Sequence, residues 1–197
     1  DPDKVSVIGN VFEKTEETPS AYRGNPKTIL WAGRFIKLKN LEFLLGVFKR
    51  LLNYDKDLIL ELIGEGPEKD FIQGVAQQGG LDKNVMIGSG LDAEQLRAKI
   101  GGAYFCVLPS LTDISPNFAL HCLGLNKPIV ITRETGLREQ FPDLIYADPE
   151  DEDGFAGASR KLLDAGFYND YQQVIAGISY RKSWDDLAGE YLNLLEG

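Results

Sequence analysis

A loop that could bind an anion lies within residues 107–132, VLPSLTDISPNFALHCLGLNKPIVIT. It follows an apolar strand and ends at Ser115 and Pro116, which favour a helix start because serine caps helices and proline needs no N–H there. Free backbone N–H groups at such a helix N-terminus attract phosphate. Most turns between a strand and a helix bind nothing, however. The spacing therefore leaves two alternatives, an anion site or an ordinary turn.

Three cations, Arg34, Lys37 and Lys39, follow the first predicted strand. They stand out because the chain has a formal net charge of −9. An arginine can fork two phosphate oxygens and a lysine supplies a mobile point charge, so Arg34 and Lys39 could neutralise a diphosphate. The alternative is a solvated loop whose charges only face water.

Two glycine-rich turns and one helix face are weaker candidates. Gly64–Pro67 ends the second predicted strand and Gly88–Gly90 follows the third. Glycine lets a backbone approach a ligand closely, but many strand-to-helix turns have this composition. Asn117 and His121 lie one helical turn apart on the same face. His121 is the only histidine, and a lone helical histidine is more often packed or exposed than functional.

Alternating strands and helices must position these residues. Asn40, Asp92 and Ser115 are the predicted N-caps. The alternation predicts an α/β domain with a Rossmann-like, doubly wound parallel sheet and helices on both faces. Ligands of such sheets bind beyond the carboxyl ends of the strands, so we expect the site in the loops after strands one, two and four. Strands are predicted at 28–33, 58–63, 84–87, 104–108, 129–131 and 144–146, helices at 41–52, 68–78, 93–100 and 116–125, a short helix or turn at 135–141, and helix from 150 onwards with breaks near Gly166 and Tyr180.

The segment from Pro109 to Ile129 resembles the signature of the family 4 retaining glycosyltransferases, enzymes of the GT-B fold. In that signature a proline–serine turn ends a strand and a glutamate follows. A small-residue loop then opens a helix, and a second glutamate lies eight positions after the first. Asp113 falls on the first glutamate and His121 on the second, so both acidic positions are altered in this chain.

The basic loop adds to the resemblance. Gly33–Arg34 and Lys39 are similar to the glycine–arginine and lysine that hold the donor diphosphate in the family, although the family's next glycine is Asn40 here. The resemblance implies that Asp113, one methylene shorter than glutamate, accepts hydrogen bonds from the donor sugar. It also places His121 where the family binds ribose, and a neutral imidazole offers only one acceptor there. The implied catalytic residues are Arg34, Lys39 and Asp113, and the implied donor-binding residues are Gly33, Gly64, Ser115, Pro116, Asn117, Phe118 and His121, with no metal and no cofactor.

The resemblance implies that residues 1–197 form a single nucleotide-sugar (donor) binding domain, with the N-terminal Rossmann-like acceptor domain absent from this chain. A strand predicted at 5–11 is similar to the one that opens the family's second domain. Trp184 resembles a signature before the last helix and is expected to anchor that helix on the missing domain. The implied partners are a nucleotide sugar such as a UDP- or GDP-sugar, the missing domain, and an acceptor glycan, lipid or small molecule.

Composition narrows the classes of function. A chain of 197 residues with 43% apolar content is long enough to form one hydrophobic core and has the composition of an ordinary soluble globular domain. It has no apolar run near the ~20 residues of a membrane span, and its net charge of −9 argues against nucleic acid or an anionic membrane surface as partner. Cys106 and Cys122 lie in apolar patterns, which predicts buried thiols in a reducing compartment. We therefore expect a cytoplasmic protein, or one peripheral to the inner membrane face.

The favoured function is transfer of a sugar from a nucleotide diphosphate to an acceptor hydroxyl with retention, by an enzyme whose isolated domain is inactive. Asp113 and His121 at two glutamate positions support an alternative, a non-catalytic nucleotide- or sugar-binding domain that has lost transfer. A third hypothesis is an unrelated GT-B enzyme such as a nucleotide-sugar epimerase. The Arg34 and Lys39 pair argues against it.

Overall fold

A computed structural model describes residues 11–14 and 27–196 of the chain. Nearly all of the strand predicted at 5–11 therefore lies outside the described residues. The strands form one parallel sheet in the order β3-β2-β1-β4-β5-β6, which confirms the predicted fold class. They are β1 (Thr28–Ala32), β2 (Ile59–Ile63), β3 (Val85–Gly88), β4 (Phe105–Leu108), β5 (Ile129–Thr132) and β6 (Ile145–Ala147).

The helices cover both faces of the sheet. Because parallel crossovers are right-handed and the chain reverses direction between β3 and β4, α1 and α2 lie on one face and α3 and α4 on the other. Helix α5 returns to pack on α1. The helices are α1 (Leu41–Leu51), α2 (Lys69–Gln78), α3 (Ala93–Gly102), α4 (Asn117–Gly124), α5 (Glu152–Lys161), α6 (Ala165–Ala176) and α7 (Trp184–Glu196), and a 3-10 turn (Lys37–Lys39) precedes α1.

The core lies in the inner strands of the sheet, β2, β1, β4 and β5, and in the helices that cover them. Every residue of β4 and β5 is buried, because a parallel sheet covered on both faces leaves no polar side. Cys106 and Cys122 are buried free thiols, as predicted. None of the helices in the described part of the chain is long and apolar enough to cross a membrane.

The helix starts agree only in part with the prediction. Asp92 caps α3 in a reciprocal capping box with Gln95. The prediction for Ser115 is wrong: the N-cap of α4 is Pro116, the helix begins at Asn117, and no side chain caps it. The loop before α4 is instead held against the next loop along the sheet, because the Asp113 N–H donates to the Glu134 carbonyl at 2.9 Å.

A break predicted near Gly166 is also displaced. Helix α5 ends at Lys161 and α6 begins at Ala165, so Gly166 lies inside α6. The reason is local: the Asp164 side chain accepts a hydrogen bond from the Phe167 N–H at 2.8 Å and starts the new helix there. The tyrosines of α6 then reach the amino ends of the strands, where the Tyr171 hydroxyl donates to the Ile129 carbonyl.

Candidate functional site

The carboxyl ends of β1, β2 and β3 and the start of α4 border a cleft of about 540 Å³. Its position agrees with the rule that parallel sheets bind ligands at this edge. The structure brings six of the predicted site residues together on its walls, namely Gly33, Arg34, Gly64, Asn117, Phe118 and His121. Lys39, Asp113, Ser115 and Pro116 do not line the cleft. Another groove of about 570 Å³ lies beside α3 and contains none of the predicted residues.

Close packing between the loops after β1 and β2 explains the glycines there. The Gly33 N–H donates to the Ile63 carbonyl at 2.9 Å, and the Phe35 N–H donates to the Glu65 carbonyl at 2.9 Å. Gly64 has a φ of 145°, and a Cβ on it would lie 1.8 Å from the Gly33 carbonyl oxygen. Glycine at this position is therefore required by loop-to-loop contact, whether or not a ligand approaches it.

Lys39 and Asp113 form an ion pair. Both side chains are largely shielded, with 21% and 13% of their surface exposed. The Ser110 hydroxyl also donates to Asp113 Oδ2, at 3.4 Å. The predicted diphosphate lysine and the predicted sugar carboxylate thus neutralise each other beside the cleft.

Arg34 differs from Lys39. Its side chain is exposed on the cleft wall. Within residues 27–196 the structure shows no hydrogen bond or ion pair that engages it. A guanidinium without a protein partner keeps its donors available for an anion, so Arg34 is the cation that the cleft presents to a ligand.

Asn40 has a role that the sequence did not indicate. Its φ of 56° is left-handed and its side chain caps no helix. The amide Nδ2 instead donates to the carbonyls of Pro109, at 3.3 Å, and Pro149, at 2.8 Å. Asn40 therefore ties the loop after β1, which carries Lys39, to the loops after β4 and β6. Asparagine tolerates a left-handed backbone. The only feature of the sequence that could have indicated this role is that Asn40 directly follows Lys39.

Glu65 is a second residue that sequence reasoning treated only as part of a turn. It lies between Gly64 and Gly66 and is the only acidic side chain among the described residues that line the cleft. Its Oε1 accepts hydrogen bonds from Lys69 Nζ at 3.0 Å and from the Gly90 N–H at 3.4 Å. The hydrogen bond from Lys69, followed by those from Ser89 and Gly90, holds the pKa of the Glu65 carboxyl below its usual range. Glu65 is therefore ionised at neutral pH.

His121 and Asn117 lie side by side on the face of α4 that borders the cleft, as predicted from their helical spacing. Both side chains are exposed, whereas Phe118 is almost completely buried. The start of α4 adds backbone N–H groups that no side chain caps. Arginine, a helix N-terminus and small polar groups together suit a phosphorylated ligand.

A comparison with known families follows from this geometry. The model of the family described as glycosyl transferases group 1 matches residues 26–165, more than half of the chain. The chain belongs to the group 1 glycosyltransferases. This confirms the resemblance found in the basic loop and in the segment that contains Asp113 and His121.

Relatives of this glycosyltransferase domain are longer proteins. A subunit of the human phosphatidylinositol N-acetylglucosaminyltransferase is 26% identical over 151 residues, which cover 75% of this chain and 31% of the relative. The chain spans about a third of the length of the curated relatives it matches. Their activities as whole proteins are thus not established for it.

Solved structures share the fold. A mutant of S. aureus TarM, in complex with Fondaparinux, alpha-GlcNAc-glycerol and UDP, matches with a TM-score of 0.79 and 15% identity over 98% of this chain and 40% of its own. The C-terminal domain of the group 1 glycosyltransferase LpcC from Francisella tularensis matches with a TM-score of 0.64 and 18% identity over 92% of this chain and 96% of its own. Identities this low establish the fold alone.

Proposed function

We propose that this domain binds a nucleotide-diphosphate sugar and presents it for transfer of the sugar to an acceptor hydroxyl with retention. The observation that carries the proposal is the cleft itself. It lies at the carboxyl edge of the sheet, with Arg34, which has no partner among the described residues, on one wall and the uncapped start of α4 on another. Both features suit the two phosphates of a nucleoside diphosphate.

The chemistry that these groups would assist is departure of the nucleoside diphosphate. The bond from the anomeric carbon to the phosphate oxygen breaks and its electron pair stays on that oxygen. The acceptor hydroxyl oxygen then bonds to the same face of the carbon and passes its proton to the departing phosphate oxygen. Arg34 and the α4 N–H groups stabilise the negative charge that develops on the phosphate, which is an electrostatic role in a preorganised site. Lys39 would add its positive charge to this stabilisation if it contacted the ligand phosphate as well as Asp113.

The acceptor site belongs, in this proposal, to an N-terminal Rossmann-like domain that the chain does not contain. The relatives are about three times as long as the matched segment, which leaves room for such a domain. One of them is named for phosphatidylinositol, and the TarM crystal contains UDP and a glycerol glycoside. These names support a nucleotide sugar as donor and leave glycan, lipid and small-molecule acceptors open.

A second candidate function is nucleotide or sugar binding without transfer. The ion pair between Lys39 and Asp113 favours it, because a paired lysine has less charge to give a diphosphate and a paired carboxylate has fewer acceptors for a sugar. His121, in the position of the family's second glutamate, also supports it. The two functions share the same binding site and differ in turnover.

Calorimetric titration with UDP, GDP and their sugar conjugates tests the binding that both functions require. Arg34→Ala should weaken nucleoside-diphosphate binding by roughly 1.5–3 kcal/mol, the scale of a hydrogen bond to a charged group, and should affect the matching nucleoside much less. Lys37→Ala is the control, because Lys37 is an exposed cation of the same loop that does not line the cleft. Equal losses in the two variants, or no loss in Arg34→Ala, would contradict the site.

A further inference from the structure

The order of the strands fixes the order of the loops along the cleft. Because the sheet runs β3-β2-β1-β4, the loops at its carboxyl edge follow one another as 88–91, 64–67, 33–39 and 109–116. Neighbouring strands are about 4.8 Å apart, so a ligand laid along this edge meets the loops in that sequence. Arg34 and the start of α4 fix the place of the phosphates beside the loop after β1.

The opposite end of the cleft suits a flat, largely apolar group. Leu91, in the loop after β3, and Leu96, on α3, line it there together with the Gly90 backbone. The base of a nucleotide has apolar faces and a polar edge, which match apolar side chains beside exposed peptide groups. With the phosphates beside β1 and the base beside β3, the ribose lies beside the loop after β2. That loop carries Glu65.

Glu65 has the chemistry to bind a pair of hydroxyls. An ionised carboxylate accepts about four hydrogen bonds. Glu65 receives three of them, from Lys69, Gly90 and Ser89, so acceptor capacity remains for a ligand. These bonds fix the carboxylate, while 61% of its side chain surface remains exposed. A fixed, partly exposed carboxylate on the wall of a cleft is a preorganised acceptor.

The other polar side chains that line the cleft are poorer acceptors. Arg34 only donates, His121 in its neutral form offers a single acceptor nitrogen, and Asn117 offers one uncharged amide oxygen. We infer that Glu65 accepts hydrogen bonds from the ribose hydroxyls of the bound nucleotide and thereby selects ribonucleotides. In this chain Glu65 would supply the carboxylate that is absent from α4, where His121 stands in the position of the family's second glutamate. The inference rests on the proposed function, since it requires that the cleft binds a nucleoside diphosphate.

Titration of the domain with UDP, GDP and their 2′,3′-dideoxy counterparts tests the inference. In the wild type, removal of both hydroxyls should weaken binding by about tenfold or more, the scale of a charged hydrogen bond. The quantity compared is the ratio of the dissociation constant of the dideoxy ligand to that of the ribonucleotide. In Glu65→Gln, which keeps an oxygen for the Gly90 N–H, this ratio should shrink by about threefold or more. Binding of the dideoxy ligand and of inorganic diphosphate should change little.

Glu68→Gln is the control, and His121→Ala tests the competing candidate for the ribose contact. Glu68→Gln removes the same charge three residues further along, from a side chain that does not line the cleft, and should keep the wild-type ratio. His121→Ala should also keep most of the ratio. A ratio that is unchanged in Glu65→Gln, or that disappears in His121→Ala, overturns the role of Glu65 while nucleotide binding itself still supports the proposed function. Failure of the wild type to bind either nucleotide overturns both.

Discussion

Lys39 cannot give its full charge to a diphosphate while it is paired with Asp113. The two side chains are largely shielded from water, where an ion pair is stronger than at an exposed surface. Arg34, in contrast, faces the cleft without a protein partner in the described structure. At the level of single residues, Arg34 is therefore the primary anion contact, and Lys39 is a cation whose availability Asp113 controls.

Removal of the Asp113 charge should consequently strengthen anion binding. We expect Asp113→Asn to bind inorganic diphosphate more tightly by roughly 1 kcal/mol, because Lys39 is released and a like charge is removed from the site. Calorimetry at two salt concentrations measures this, and the gain should shrink at high salt. Asp82→Asn, an exposed carboxylate at the other end of the sheet, should have no effect. Weaker binding in Asp113→Asn would mean that Asp113 positions Lys39 instead of competing for it.

The turn after α4 holds the end of α3 in place. Lys127 is 7% exposed, and its Nζ donates to the carbonyls of Gly101, at 3.0 Å, and Ala103, at 2.5 Å. These are carbonyls at the C-terminal end of α3, where a helix favours a cation. Helix α3 carries Leu96 into the cleft, so a buried ammonium at its far end helps to fix one wall of the candidate site.

Because Lys127 is buried, we expect the free energy of unfolding to depend on pH in the alkaline range. Burial lowers the pKa of Lys127 from its ordinary value of 10.5. Between the lowered value and 10.5 the unfolded chain binds more protons than the folded chain, so the free energy of unfolding rises with pH, by at most about 1.4 kcal/mol per pH unit. Lys127→Met should lack this contribution.

Urea unfolding at pH values between the lowered pKa and about 10.5 measures the effect, because the slope of a single proton appears directly in the free energy. The difference between wild type and Lys127→Met should increase across that range in favour of the wild type. Lys83→Met, which removes an exposed lysine, should run parallel to the wild type. Parallel curves for Lys127→Met would contradict the lowered pKa of the buried lysine.

Among the elements that the structure describes, helix α7 leaves the most large apolar side chains exposed. The exposed fractions of these side chains range from 49% at Leu194 to 82% at Leu195, with Trp184 at 69%. An exposed apolar surface of this extent commonly marks an interaction surface. We propose that a further domain, the one proposed above to hold the acceptor site, covers this surface, which agrees with the predicted anchoring role of Trp184 and with the length of the relatives.

We expect the isolated domain to fold but not to catalyse sugar transfer. The domain should unfold cooperatively by itself, because its sheet is covered on both faces by its own helices. It should nevertheless transfer no sugar, since the proposed acceptor site lies on the other domain. A transfer assay that compares the domain with the full-length protein measures this. Turnover by the domain at a comparable rate would refute the two-domain proposal.

The sequence alone determined the elements and their alternation. Apolar runs such as those of β4 and β5, helical spacing around Asn117 and His121, and the Asp92 cap all depend on neighbouring residues, so they can be predicted locally. Parallel strands then imply which edge of the sheet is functional. This is why the basic loop and the start of α4 could be expected to border one cleft.

Only the tertiary structure decided what those residues contact. Lys39 meets Asp113 across 74 positions, and Asn40 meets Pro149 across 109. The carboxylate of Glu65 reaches Gly90 across 25 positions. Such pairings depend on strand order and on the path of each loop, because residues far apart in the chain become neighbours only when β1 lies between β2 and β4. Local preferences carry no information about that order, so the paired lysine and the candidate ribose carboxylate emerge only from the folded sheet.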